Sequence, residues 1–319
     1  MWSLREPPLF TVLASARRIL VAGAGGGFDV YAGLPLAFAL TAAGKQVYLA
    51  NLSFANLDLL AAADRLGDGV AAIRPDSVGL GDYFPERTLA RWLDSRGLPS
   101  TVYAFARTGV QPLRAAYRTL ITHLGVDAVV LIDGGTDILL HGDEAGLGTP
   151  EEDATSLTAV AGLDDVATRV VVCVGFGIDA HHGVCHAHVL ENLAALDRDG
   201  GYLGAVSIPR DSAEGTAFLD AVAHAQSVTW RHPSIVNGQI AAALRGEFGD
   251  LQFTDRTRGS RLFVNPLMAV YFTVDLNALA HRLRYRDWIE STHNRWQVSQ
   301  AIEEYRQTTE LRPHQNLPH

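Results

Sequence analysis

Cysteine is scarce: only Cys173 and Cys185 occur in 319 residues, and no C-x-x-C pair signals a zinc site. No run of about 18 apolar residues exists, so no membrane span is predicted. Basic residues are outnumbered, 26 against 35 acidic, for a formal net charge of −9. That balance argues against a nucleic-acid binder, which needs clustered Lys and Arg to neutralise phosphates. The start, Met1-Trp2-Ser3-Leu4-Arg5-Glu6-Pro7-Pro8, lacks a basic stretch leading into a continuous apolar run, so no secretory signal is expected. There is no internal repeat, low-complexity tract or Pro/Gly/Ser linker. These absences point to a cytoplasmic protein without membrane partners.

What is present is ordinary for a globular chain. Apolar residues make up 48% and charged residues 19%, which excludes wholesale disorder. Apolar runs at about 18–23, 46–50, 101–105, 127–132, 169–175 and 202–208 alternate with amphipathic stretches at 34–43, 55–65, 86–95, 111–123, 153–160 and 188–197. Strands that alternate with helices imply βαβ units and a mainly parallel sheet. The strands are continuous Val/Ile/Leu/Ala runs, as expected when helices cover both faces. The fold class is therefore α/β, a Rossmann-like sheet spanning residues 1–277. A seventh strand is expected from Leu267 to Leu276. A long helix from about 278 to 308 then forms a C-terminal helical extension, 278–319, of the same structural unit, with a frayed tail from Leu311.

Two loops carry the chemistry. Gly23-Ala24-Gly25-Gly26-Gly27-Phe28-Asp29 follows one apolar run, and Asp133-Gly134-Gly135-Thr136-Asp137, continuing to Gly142-Asp143-Glu144, follows another. In an open parallel sheet, loops at strand C-termini line the ligand crevice. Glycines let backbone approach a ligand and adopt positive φ, and the N–H groups of the following helix start would face an anion. The Lys-Ser/Thr of a P-loop is missing, and the sixth position counted from Gly23 is Phe28, which fails the dinucleotide pattern. Asp29 instead suits sugar hydroxyls, an amine or a metal. Gly23, Gly25, Gly26, Gly27 and Asp29 are thus candidate cofactor contacts. Asn51 and Ser53, ending the second strand, join them where such folds meet a ribose, although Ser53 equally suits a cap on the helix near Ala55.

Close carboxylates repel, so Asp133, Asp137, Asp143 and Glu144 persist together only if a cation, an amine or a shared proton neutralises them. Asp133 and Asp137 are candidate catalytic acids and bases. Asp143 and Glu144 are candidate ligands of Mg²⁺ or Ca²⁺. Glu151, Glu152 and Asp153 read as first-turn acids of a helix after Pro150. A third loop holds Asp179, His181, His182 and His186. Asp179 and His181 suit acid/base work at a strand end. His182 and His186 are four apart and would share a helical face fit for a metal, although Gly183 interrupts it. Cys185 beside His186 reads as a buried small hydrophobe. The arginines 256, 258, 261, 282, 284 and 286 are too sparse for a nucleic-acid surface and suit solvated faces or a contact between subunits of a homo-oligomer.

The aspartate loop, with Gly148-Thr149-Pro150-Glu151-Glu152-Asp153, and the triple-glycine loop, with Gly33-Leu34-Pro35, together resemble the domain-of-unknown-function family 1152 over about residues 15–285. The resemblance implies a prokaryotic α/β protein and no particular activity. A second likeness is to the sirtuin nucleotide loop: Gly23-Ala24-Gly25 precedes Gly33-Leu34-Pro35. Here the gap is about two residues longer, Leu36-Ala37-Phe38 replaces the acidic-aromatic-Arg triplet, and zinc-ribbon cysteines are missing. That likeness implies a ribose-bearing cofactor rather than deacylation.

The expected function is an enzyme of group transfer or hydrolysis on a nucleoside, nucleotide or other hydroxyl-rich metabolite, with Mg²⁺ or a ribose-bearing nucleotide as the cofactor to look for. The alternative is a non-catalytic nucleotide sensor or complex subunit using the same crevice.

Overall fold

Continuous β-branched runs pair into one sheet in the computed structural model, which describes residues 5–78, 83–252 and 262–317. In chain order the strands are β1 (Arg18–Gly23), β2 (Gln46–Ser53), β3 (Arg65–Gly67), β4 (Val70–Ile73), β5 (Val102–Ala106), β6 (Ala128–Asp133), β7 (Thr168–Cys173), β8 (Tyr202–Ser207), β9 (Gly249–Asp250), β10 (Phe263–Val264) and β11 (Val270–Asp275). The helices are α1 (Pro8–Val12), α2 (Asp29–Ala32), α3 (Leu34–Ala42), α4 (Pro85–Ser95), α5 (Val110–Leu124), α6 (Pro150–Ala161), α7 (His186–Arg198), α8 (Ala213–Val228), α9 (Ile235–Leu244), α10 (Leu276–Arg282), α11 (Arg286–Ile289) and α12 (Arg295–Thr308).

The large sheet runs β3-β4-β5-β2-β1-β6-β7-β11-β8. Its centre, β5-β2-β1-β6-β7, is parallel throughout. The edges are antiparallel, with β4 against β5 and β11 against both β7 and β8. Alternation along each central strand feeds two cores: Leu20, Ala22, Val129 and Leu131 face one, Ile19, Val21, Val130 and Ile132 the other. Residues from α5, α6, α7 and α10 to α12 close the first core, and residues from α1, α3, α4, α8 and α9 close the second. This is the period-two burial of strands covered on both faces.

From β1 the chain travels one way to β2 and β5, then returns to β6 and β7 on the other side. The point between β1 and β6 is therefore the topological switch, where the carboxyl ends of strands in such sheets leave a crevice. Gly23 pairs with Ile132 across that point, so the glycine and aspartate loops leave the sheet side by side.

Three local expectations differ. The stretch 55–65 forms two short 3₁₀ turns, Leu57–Leu59 and Ala62–Asp64, instead of a helix. Leu57 and Leu60, three apart, both bury against Ile73 and Phe84, a spacing that suits three residues per turn. The C-terminal helix is three helices, of which α10 and α12 are each opened by a side-chain cap: Asp275 accepts from Ala278 N and Asn294 from Gln297 N. The tail is tied down through Arg312. Arg256, Arg258 and Arg261 lie outside the described residues. Among the described residues no helix is long and apolar enough to cross a membrane.

Candidate functional site

Ala24 N donates to Ile132 O at 2.8 Å, fastening the glycine loop to the end of β6. Gly26 and Gly27 then turn the chain with φ of 88° and 61°. The helix-start N–H groups expected to face an anion are used within the chain: Asp29 N donates to Gly26 O, Val30 N to Asn51 Oδ1 and Tyr31 N to Phe28 O. Gly25 N–H donates to Asp29 Oδ2 at 2.7 Å, so the chain supplies its own carboxylate there. A Cβ on Gly25 would sit 2.8 Å from both Asp29 Oδ2 and Asp153 Oδ1. Any side chain there would have to displace these carboxylates.

The aspartate loop repeats the device. A Cβ on Gly135 would lie 2.9 Å from both Asp179 oxygens and 3.1 Å from Asp137 Oδ1. Asp137 Oδ2 accepts from Thr149 N at 2.8 Å and Thr149 Oγ1 at 3.1 Å. Asp179 Oδ2 accepts from Thr136 N at 2.8 Å. Asp133, the last residue of β6, accepts only a long bond from Ile138 N at 3.4 Å. Asp153 enters from the first turn of α6, and its Oδ1 is buried with no hydrogen-bond partner. One oxygen from each of Asp29, Asp133 and Asp153 lies within 4.8 Å of the others. All five aspartates line a cavity of about 330 Å³, walled by Phe28, Phe54, Tyr83 and Val236.

Burial pushes every one of these carboxyls upward, and like charge adds to it at Asp29, Asp133, Asp153 and Asp179. Asp29 rises to about 8, through burial against the opposing Gly25 N–H, with Asp137 and Glu152 adding repulsion. Asp133, Asp153 and Asp179 are held well above the ordinary carboxylate range by burial and then by their neighbours' charges. Burial also raises Asp137, although the Thr149 bonds oppose it. Because these carboxyls hold protons more firmly in the folded chain, their stabilisation is full below the unfolded value of about 4. It is lost as pH rises through the folded values, about 8 for Asp29. Urea unfolding of ligand-free protein should accordingly show a lower midpoint near pH 8.5 than near pH 6. A midpoint that rises over this interval would contradict the assignment.

Of the other candidate residues, His181 lines the cavity and Gly23, Asn51 and Ser53 do not. Ser53 Oγ accepts from Ala55 N at 3.2 Å. Asn51 is fully buried and braces the glycine loop: its Nδ2 donates to Gly27 O and Glu86 Oε1, and its Oδ1 accepts from Val30 N. Asn51→Ala would orphan these groups, and a loss of about 2–3 kcal/mol is expected in chemical denaturation. His182 ends a 3₁₀ turn and Gly183 follows at φ 85°, so the helical face expected for His182 and His186 does not form. Cys185 is buried, its Sγ against Gln315 O.

Asp143 and Glu144 also stand apart from the cavity. With His141 they bring three ligand-type atoms together, yet arginine supplies the opposing charge. Asp143 pairs with Arg284 and Arg312, each at 2.9 Å. Glu144 takes Arg312 at 2.8 Å, Asn192 Nδ2 at 2.8 Å and the N–H groups of His141 and Gly142. His141 Nε2 accepts from Arg282 Nε at 3.0 Å.

Asp153, Glu152, Thr149, Phe54 and Tyr83 line the cavity without having been expected there. For Asp153 a signal exists in its phase with Leu157 and Val160, positions i, i+4 and i+7, on a helix buried throughout residues 153–160.

Comparison with known proteins gives one finding. The family model described as a protein of unknown function, DUF1152, matches residues 20–317. No curated protein matches the chain.

Proposed function

The chain belongs to the DUF1152 family of unknown function, and from that premise we propose that it is a divalent-cation-dependent enzyme of hydrolysis or group transfer. Its substrate class is a small hydroxyl-rich metabolite, of nucleoside or nucleotide type, taken up at the switch-point cavity. The carrying observation is the convergence of Asp29, Asp133 and Asp153 within 4.8 Å, with Asp153 Oδ1 buried and unpartnered. Desolvated carboxylates at such spacing are costly without a counter-charge. An all-oxygen set of this kind suits a hard cation such as Mg²⁺, Mn²⁺ or Ca²⁺. The ion, when bound, polarises a substrate oxygen and acidifies a water.

The remaining groups are disposed for proton transfer. Asp137 and Asp179 converge beside Gly135, on the same cavity wall as His181 and His182. His181 Nδ1 lies 2.6 Å from Ile178 O. A carbonyl only accepts, so Nδ1 carries the proton and Nε2 is left as the basic nitrogen. Charge that develops on a sugar or ester oxygen suits these partners better than hydride transfer does.

The test is a panel of nucleotides, nucleosides and sugar phosphates incubated with Mg²⁺ or Mn²⁺ and followed by NMR. Turnover that requires the cation, and that Asp179→Asn abolishes while ligand affinity is kept, supports catalysis. Saturable binding without turnover by the wild-type protein would make this a sensor site instead.

A further inference from the structure

Behind the glycine loop lies a carboxyl that the cavity does not use. Glu86, in the first turn of α4, is fully buried and does not line the cavity. Its Oε1 accepts from Asn51 Nδ2 at 2.7 Å. The same Nδ2 donates to Gly27 O at 2.8 Å and to Leu52 O at 3.1 Å, while Asn51 Oδ1 accepts from Val30 N at 3.2 Å. Two amide hydrogens thus serve three acceptors. Gly27 and Val30 stand on either side of Phe28 and Asp29, so one amide holds both ends of the turn that carries Asp29. The glycine that ends β1 makes room for it: a Cβ on Gly23 would lie 2.2 Å from Asn51 Oδ1 and 2.9 Å from Asp29 Cβ.

We infer that Glu86 is a positioning residue of the carboxylate cavity: through the Asn51 amide it sets where Asp29 stands against Asp133 and Asp153. The inference rests on the proposed function for the cation these three would share. Leu52 O belongs to the residue next to Asn51, and an amide that settles on it alone no longer spans the turn. The bond to Glu86 is the shortest of the three and holds the amide against that alternative. Burial pushes Glu86 up to about 7, with Asn51 opposing. Near neutral pH much of it is therefore the neutral acid, whose carbonyl oxygen still accepts. What Asn51 needs at that point is an acceptor atom, not a charge. Outer partners that orient a metal's ligands commonly change its affinity by about 10–100-fold when they are lost.

The experiment compares Glu86→Met, Glu86→Gln and Leu89→Ala with the wild type, reading amide hydrogen exchange of the metal-free protein and its affinity for Mn²⁺. Methionine fills the space without offering an acceptor oxygen, and replacing buried ionisable groups by apolar ones of similar volume is often neutral or stabilising. Glu86→Met should therefore melt no lower than the wild type. It should nonetheless exchange the Gly25 and Val30 N–H groups about tenfold faster and bind Mn²⁺ at least about tenfold more weakly. Should methionine not fold, Glu86→Ala gives the same two readings. Glu86→Gln keeps the acceptor oxygen and should restore both. Leu89→Ala, on the same helix and fully buried, should melt lower and leave Mn²⁺ affinity unchanged. Unaltered exchange or unaltered Mn²⁺ affinity in Glu86→Met, or no recovery in Glu86→Gln, would overturn the inference. So would an affinity that falls equally in Leu89→Ala. Wild-type protein that binds no Mn²⁺ would count against the proposed function alone, because exchange at Gly25 and Val30 still decides whether Glu86 holds the turn.

Discussion

Asp153→Asn protein, stripped of metal, should melt at a higher temperature than the wild type, and Mg²⁺ or Mn²⁺ should no longer raise that temperature. Both effects come from one cause. Asp153 is 3% exposed, its Oδ1 has no partner, and Asp133, Asp137, Asp29 and Glu152 all repel its charge. Asparagine keeps the shape, cannot ionise and adds two donors facing the neighbouring carboxyls. An acid that holds its proton more firmly on folding costs stability at neutral pH, about 1.4 kcal/mol for each tenfold change in proton affinity, and each kcal/mol is worth no more than roughly 2–4 °C in a chain of this length. Loss of one of three anionic ligands should weaken cation binding by at least about a hundredfold. A thermal scan with and without Mn²⁺ reads both quantities. A variant that is less stable when metal-free and still shifts with Mn²⁺ would show that Asp153 serves packing alone.

Arg312→Ala should be the most destabilising single change away from the cavity, by about 3 kcal/mol or more. Arg312 bridges Asp143 and Glu144, whose side chains are 4% and 0% exposed, and reaches Glu191 as well. Its backbone also joins the chain: Arg312 N donates to Asp143 O at 2.7 Å and Ala145 N to Arg312 O at 2.9 Å. Truncating the side chain leaves two buried carboxylates with too little counter-charge, although Arg284 and the backbone donors to Glu144 persist. Urea denaturation should show the loss while Mn²⁺ binding is retained, because this cluster does not line the cavity. An unchanged midpoint would mean that the C-terminal segment contributes no stability at Asp143.

The same residue types, glycine and acid in a loop after an apolar run, thus serve two ends, and the sequence distinguishes them only in part. Asp29 and Asp133 are legible because one lies in the loop after a strand and the other ends a strand, and strand ends converge on the switch point whatever the details. Asp143 and Glu144 carry a similar signal, but their partner is Arg312, 169 and 168 residues further on, and no local pattern announces it. Asp153 looks like an ordinary helix-start acid, since its neighbours Glu151 and Glu152 have that role's sequence context. Only its phase with Leu157 and Val160 marks it as inward. The parallel centre of the sheet follows from apolar runs at regular spacing. The β3–β4 hairpin does not, because strands of three and four residues are too short to show a period. The helix ends near Leu283 and Asn294 are set by caps and tertiary contacts rather than by a break in amphipathicity.

The most direct test of the whole account is the number of divalent ions the cavity takes. Metal-stripped protein titrated with Mn²⁺, with free ion followed by electron paramagnetic resonance, should sequester one ion per chain and release it to excess Mg²⁺. Protein that leaves all added Mn²⁺ free in solution, or that binds it equally well with Asp29, Asp133 and Asp153 changed to Asn, would contradict the assignment.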